Sequence, residues 1–253
     1  PSTPTVTAGG STTFCSGGNV TLTSSATTGN QWNLNGNPIS GATNTTYVAN
    51  AAGNYSVTAT NSCGSTNSTN TTITVNTAPS TPTVTAGGST TFCSGGNVTL
   101  TSNAATGNQW NLNGNPISGA SNTTYVANAA GNYSVTVTNG CGSTNSANTT
   151  ITVNTVPSTP TITAGGSTTF CSGGNVTLTS STATGNQWNL NGNPISGATN
   201  TTYVANAAGN YSVTATNGCG STSSANTTVT VNTVPSTPTI TAGGSTTFCI
   251  GDS

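Results

Sequence analysis

No lysine, arginine or histidine occurs among the 253 residues, and the only acidic side chain is Asp252. General bases, carboxylate pairs, Ser-His-Asp triads and two-metal centres all need groups that are missing, so no enzyme is expected and no catalytic, cofactor or metal site. Without Lys or Arg to neutralise phosphates, nucleic-acid binding is excluded as well. No apolar run approaches membrane-spanning length, and no basic region with an apolar core opens the chain, so membrane insertion of this segment is not expected. Pro1-Ser2-Thr3-Pro4 instead reads as the start of a repeat.

What remains is mostly Thr, Ser, Asn and Gly, with β-branched and aromatic residues at strand spacing. A flexible linker is the bland reading of such a composition. Disordered segments of the usual kind, however, carry high net charge and lack those β-branched and aromatic residues. In Gln31-Trp32-Asn33-Leu34-Asn35-Gly36, Trp32 and Leu34 fall on one face of a strand, and Asn35-Gly36 supplies the positive φ angles of a tight β-turn.

The same six residues return at Gln109 and Gln187, a period of 78 residues. Repeat one runs over 1–78, repeat two over 79–156 and repeat three over 157–234; 235–253 begins a fourth, truncated one. The first two copies differ by exchanges between fairly small residues, such as Ser25 for Asn103 and Ser62 for Gly140. This predicts a recently duplicated array and a window on something longer.

Within one copy, short alternating segments are expected at Pro4–Thr7, Ser11–Cys15, Asn19–Thr23, around Trp32 and Leu34, at Pro38–Ser40, Thr45–Val48, Gly53–Ala59 and Asn70–Asn76. Turns every eight to twelve residues and no helical pattern predict an antiparallel β-sandwich. Gly53-Asn54-Tyr55 matches the tyrosine-corner position of immunoglobulin-like sandwiches. The fold expected is therefore all-β: tandem immunoglobulin-like antiparallel β-sandwiches. Val6, Phe14, Val20, Leu22, Trp32, Leu34, Ile39, Tyr47, Tyr55, Val57, Ile73 and Val75 form the expected core. Trp32, Trp110 and Trp188, with Tyr55, Tyr133 and Tyr211, are its aromatic centres.

A domain of this size rarely buries enough apolar area without a covalent staple. Each copy has two cysteines 48 residues apart: Cys15 and Cys63, Cys93 and Cys141, Cys171 and Cys219; Cys249 belongs to the fourth. Two thiols per module without His or Cys-x-x-Cys make a poor zinc site, so disulfides in an oxidising, extracellular location are expected. Cys15 precedes the Asn19–Thr23 strand and Cys63 follows the Gly53–Ala59 strand, at opposite ends of such a sandwich. A seven-residue strand spans about 23 Å, whereas bridged Cα atoms lie within about 7 Å. The geometry leans towards bonds between repeats, Cys15 with Cys141 and Cys93 with Cys219, with Cys63, Cys171 and Cys249 pairing elsewhere. Bonds within modules, Cys15–Cys63, Cys93–Cys141 and Cys171–Cys219, stay open.

Through Phe14-Cys15-Ser16-Gly17-Gly18-Asn19-Val20-Thr21-Leu22, Trp32 to Ser40, and Gly53 to Cys63, the chain resembles the Ig-like repeats of very large secreted surface proteins of Bacteroidota, among them gliding-motility adhesins and related filaments. The resemblance covers essentially the whole chain. It implies export by a type IX secretion route, attachment at the cell surface, and service as stalk or adhesive fibre.

The leading expectation is a structural stalk or filament segment that carries a terminal adhesive module away from the cell, about 100 Å or more for three modules. Its partners would be neighbouring repeats and, because the uncharged edges lack protective Lys, identical chains in a filament. The alternative is an array of modules that bind carbohydrate, a surface or ice. Tyr47 or Tyr55 would serve a sugar platform, and Thr3, Thr5 and Thr7 form a Thr row, although a strand's solvent face explains that row too. Asn19-Val20-Thr21 and Asn44-Thr45-Thr46 are candidate N-glycan acceptors, and the resemblance implies a candidate O-glycan site at Asp252-Ser253.

Overall fold

Alternation along the chain builds the core strands of repeat one in the computed structural model, which describes residues 1–247 and 249–251. The elements are β1 (Val6–Ala8), β2 (Thr13–Cys15), β3 (Val20–Ser24), β4 (Asn30–Leu34), β5 (Asn37–Pro38), β6 (Thr46–Ala49), β7 (Gly53–Asn61), β8 (Gly64–Asn67) and β9 (Thr71–Asn76). In β3 the side chains of Val20, Leu22 and Ser24 are buried while Thr21 and Thr23 are exposed, the period-two pattern of a strand with one wet face. Repeats two and three reproduce the nine strands. Among the described residues of 235–253 there is no strand, and each is exposed. The Asp252-Ser253 expectation lies outside the described residues.

Two sheets face each other in each repeat. One has the order β1-β3-β6; the other has β2-β9-β7-β4-β5, with β8 also on β7. This is an immunoglobulin-like sandwich, antiparallel except for one pair: β2 runs parallel to β9, with Phe14 opposite Val75 and Cys15 opposite Asn76. The chain thus leaves β1 in the first sheet and crosses to the second before β2. The strand β8 lies where no strand is expected, between the Gly53–Ala59 and Asn70–Asn76 segments. It pairs with the far end of β7, Asn61 opposite Gly64, while β9 pairs with the near end, Gly53 opposite Ile73. Between β8 and β9, Ser68 bonds Val57 by side chain and backbone: Val57 N donates to Ser68 Oγ at 3.0 Å, and Ser68 N donates to Val57 O at 2.9 Å.

The turn from β4 to β5 has φ of 52° at Asn35 and 81° at Gly36, the left-handed pair that an Asn-Gly hairpin supplies. Asn35 Oδ1 also accepts from Asn54 N at 2.9 Å, tying this turn to the start of β7. At Gly53, φ is +150° and an added Cβ would lie 2.5 Å from Leu34 Cδ1, so only glycine fits where β7 enters.

Trp32, Leu22 and Val57 are fully buried, with Val20, Ala49, Tyr55 and Ile73 beside them; Val6, Phe14, Leu34, Ile39, Tyr47 and Val75 pack around this centre. Tyr47 bridges the other two rings, 6.0 Å from Trp32 and 5.8 Å from Tyr55 between centroids. Each buried polar end is satisfied: Trp32 Nε1 donates to Asn44 O at 2.9 Å and Tyr55 OH donates to Ala51 O at 3.1 Å. The latter is a tyrosine corner. Trp110 and Trp188, with Tyr133 and Tyr211, repeat these contacts.

Trp110→Ala should destabilise repeat two by about 3–5 kcal/mol, since a fully buried ring leaves a cavity and orphans Asn122 O. Denaturant titration should show a lower midpoint for one repeat only; an unchanged profile would contradict this core. Burial, reinforced by the neighbouring Tyr47 and Tyr125, pushes the Tyr55 and Tyr133 phenols above the ordinary 10.0, and burial raises Tyr211 too. A raised folded-state pKa for an acid favours the protonated, folded form. That stability is fully present below about pH 10 and is lost as pH rises through the raised value. Thermal melts should therefore fall on the alkaline side of pH 10, and Tyr→Phe variants at these positions should lessen the fall.

Candidate functional site

Reactive side chains of different repeats meet at the joint of repeats one and two. Both lie in one structural unit, 1–153, separate from 154–253. On the repeat-one side, Cys15 ends β2 and is held there by backbone: Ser16 N donates to Asn76 O at 2.8 Å and Gly18 N to Cys15 O at 2.8 Å. A Cβ at Gly18 would come within 3.0 Å of Cys15 O and 3.1 Å of the Phe14 ring, which explains a glycine in this turn. On the repeat-two side, the hairpin of Gly131–Asn139 and Gly142–Asn145 turns through Gly140 and Cys141.

Cys15 and Cys141 are bonded, with an S–S distance of 2.08 Å and Cα atoms 5.4 Å apart. Asn139 stabilises the turn and the linker together: its Oδ1 accepts from Cys141 N at 2.8 Å, while its Nδ2 donates to Thr77 O at 2.9 Å. Thr144 Oγ1 lies 3.2 Å from both Pro79 O and Ser80 O, so the linker is hydrogen-bonded along the hairpin's side. A cleft of about 520 Å³ opens at the bond, lined by Phe14, Cys15, Asn76, Thr77, Asn139 and Gly140 among others. None of these side chains is acidic or basic.

The hairpin of repeat three makes the same contacts with its own preceding linker. Asn217 Nδ2 donates to Thr155 O at 2.9 Å, and Thr222 Oγ1 donates to Pro157 O at 3.0 Å. Cys93 and Cys219 are each disulfide-bonded. Cys63, Cys171 and Cys249 are free and exposed. The within-module alternative of Cys15 with Cys63 does not occur, for a reason visible in the register. Asn76, beside Cys15, lies beyond the Gly53 end of β7, and Cys63 lies beyond the Asn61 end. The two are on the order of 40 Å apart along the strand direction, far outside bonding reach. For the same reason Cys141 is not bonded to Cys93 in its own repeat but to Cys15.

The sequence alone did not single out Asn139 or Thr144. A usable signal was present, since an Asn stands two residues before each hairpin cysteine, at Asn61, Asn139 and Asn217. Of the aromatics considered for a sugar platform, Tyr55 is 1% exposed while Tyr47 is half-buried. Thr3, Thr5 and Thr7 are exposed, but only Thr7 lies within β1, a strand of three residues. Asn19 and Asn44 are exposed, and Asn44 O is engaged by Trp32. Among the described residues no group of three or more His, Cys, Asp or Glu could hold a metal.

Cys141→Ser should release the joint while leaving the sandwiches folded. Hydrogen exchange should quicken at Ser16, Gly18 and the linker around Thr77, while amides of β3, β4 and β7 keep their protection; a chain-wide loss of protection would contradict this division. Asn139→Ala should act in the same direction with a smaller effect, about 0.5–1.5 kcal/mol for the lost hydrogen bonds.

No protein-family model and no curated protein sequence matches the chain. Among solved structures, it is similar to the N-terminal eight Ig domains of Down Syndrome Cell Adhesion Molecule isoform 1.30.30 (16% identity, TM-score 0.39), covering 91% of this chain and 37% of that one. A mouse coronavirus receptor-binding domain complexed with its murine receptor is similar over 60% of this chain and 100% of that one, at 18% identity and a TM-score of 0.39. The chain thus spans little more than a third of the first structure's length. Its own strand order carries the immunoglobulin-like assignment.

Proposed function

We propose that the chain is a structural segment of an extracellular repeat protein, a stalk or filament whose modules are covalently clamped to their neighbours. The Cys15–Cys141 bond supports this reading most directly, because a bond between repeats restrains their relative motion and does nothing for a ligand. Disulfides support an oxidising, extracellular location. The resemblance in Phe14–Leu22, Trp32–Ser40 and Gly53–Cys63 makes the finer reading a surface adhesin of the Bacteroidota type, exported by type IX secretion and attached at the cell surface. On this reading the repeats have no enzymatic role, and they do not bind nucleic acid. Their partners are their own neighbours.

An array without ion pairs keeps its dimensions when salt changes. X-ray scattering profiles should superpose from about 0.01 to 1 M salt, where the Debye length falls from about 30 to 3 Å. A marked salt-dependent change in dimensions would count against the stalk.

A second reading rests on the cleft of about 480 Å³ beside Tyr125 and Val126, lined also by Ile117, Ala120 and Asn122. Val48, Val126 and Val204 are each just over half exposed at this position of every repeat. That cleft would suit a carbohydrate ligand stacked on Tyr125. Binding on a glycan array that is lost on Tyr125→Ala would favour it over the stalk.

A further inference from the structure

Glycine follows the hairpin asparagine in repeats two and three, as Asn139-Gly140 and Asn217-Gly218, while repeat one has Asn61-Ser62. The fold does not demand that glycine. A Cβ built at Gly140 or Gly218 meets nothing within 4 Å, and neither residue is among those with positive φ. The pairs Asn35-Gly36, Asn113-Gly114 and Asn191-Gly192 differ, because φ of 81°, 80° and 81° at their glycines gives those a conformational cause. What glycine leaves at position 140 is an unshielded backbone nitrogen beside an amide. Asn139 and Gly140 are both exposed.

The asparagine is folded towards that nitrogen. Asn139 Oδ1 accepts from Cys141 N, two residues on, at 2.8 Å, and this Asx turn brings Cγ back towards the intervening Gly140 nitrogen. The donor sits on the oxygen that takes negative charge when Cγ is attacked, as in an oxyanion site. Nδ2, the leaving group in such an attack, donates to Thr77 O at 2.9 Å and so latches the hairpin to the linker. In the other Asn-Gly hairpin of repeat two the side chain is held differently: Asn113 Oδ1 accepts from Asn132 N, on another strand, at 2.9 Å. Asn61 has the Asx turn, with Cys63 N at 2.9 Å, but Ser62 follows it. Asn139 and Asn217 combine the turn with a following glycine, Asn217 Oδ1 accepting from Cys219 N at 2.8 Å.

We propose that Asn139 is a self-modification site, and that its conversion unlatches the linker from the hairpin. Gly140 N gives up its proton and attacks Asn139 Cγ; a C–N bond forms, the Cγ–Nδ2 bond breaks, and ammonia leaves carrying that proton. The ring so formed is a succinimide. Water then adds to one of its two carbonyls and opens it, either to a carboxylate side chain or to a backbone routed through the side-chain carbon. One amide and one water become one carboxylate and one ammonium, with no change of oxidation state. The carboxylate still accepts from Cys141 N, but it has no hydrogen to give Thr77 O and sets a negative charge against that carbonyl. The Cys15–Cys141 bond is untouched, so the joint changes from a latched clamp to a tether. Asn217, whose Nδ2 donates to Thr155 O at 2.9 Å, follows the same course. The inference rests on the geometry of the joint and is independent of what the array carries.

The test incubates the whole 253-residue chain for weeks in neutral buffer and follows it by anion exchange and peptide mapping. Each conversion adds one negative charge to a chain whose formal net charge is -1, so the charge variants separate. Conversion should appear first in the peptides holding Asn139 and Asn217, and severalfold more slowly in those holding Asn113 and Asn61. Gly140→Ser, a residue that repeat one accommodates as Ser62, should slow conversion at position 139 severalfold and leave position 217 unchanged. Hydrogen exchange in the linker around Thr77 should quicken in the converted chain, and in Asn139→Asp without incubation, but not in Gly140→Ser incubated equally. Conversion of Asn113 or Asn61 ahead of Asn139, or an undiminished rate at position 139 in Gly140→Ser, would overturn the modification site. A linker unmoved by Asn139→Asp would overturn the unlatching. The stalk reading survives each of these results, since it rests on the disulfide.

Discussion

The parallel pairing of β2 with β9 is the constraint from which the arrangement of this molecule follows. It sets Cys15 at the end of the sandwich where β9 finishes, while the β7–β8 hairpin carries Cys63 out at the other end. A covalent staple cannot close within one module of that shape. It can close only where the exit end of one module meets the hairpin of the next, and Cys15–Cys141 does so. The linker hydrogen bonds of Asn139 and Thr144 then hold the same two surfaces without charge.

Each module otherwise depends on few apolar groups. The Trp32, Tyr47 and Tyr55 rings form one continuous contact through the sandwich, and Leu22, Val57 and Ile73 fill the space around them. Leu22 and Val57 occupy the inner strands where many sandwiches of this type place a disulfide. Moving the cysteines from core to joint exchanges a staple inside one domain for a restraint between two. Side-chain amides and hydroxyls do the rest: Asn30 bonds both Ser24 and the Ala26 carbonyl, and Asn33 reaches Thr58 across the ladder. A chain lacking Lys, Arg and His can therefore satisfy its buried polar groups with neutral partners, Asn108 Oδ1 being left without one.

Much of this was legible in the residues. Trp32 and Leu34 on one face, the Asn35-Gly36 turn and the Gly53-x-Tyr55 entry each express a local rule, and local rules can be read without knowing the fold. The switch of the chain between β1 and β2 was not legible as a change of sheet, because Ala8-Gly9-Gly10 announces a break but not its direction. Nor was β8: Gly64-Ser65-Thr66-Asn67 has no apolar residue and no buried side chain, so no alternation marks it as a strand. Its existence depends on the far end of β7 having no other neighbour on that edge. Asn139 was missed for a related reason, since its two partners come from a turn and from the linker of the preceding repeat.

The central claim is a bond between repeats, and non-reducing peptide mapping of the disulfides tests it most directly. Chymotrypsin is the suitable protease, since trypsin has no Lys or Arg to cut. The account predicts a cross-linked fragment joining the Cys15 peptide to the Cys141 peptide, with Cys63 absent from it. Recovery of Cys15 bonded to Cys63 would contradict the clamp, and with it the strand order that separates these two cysteines.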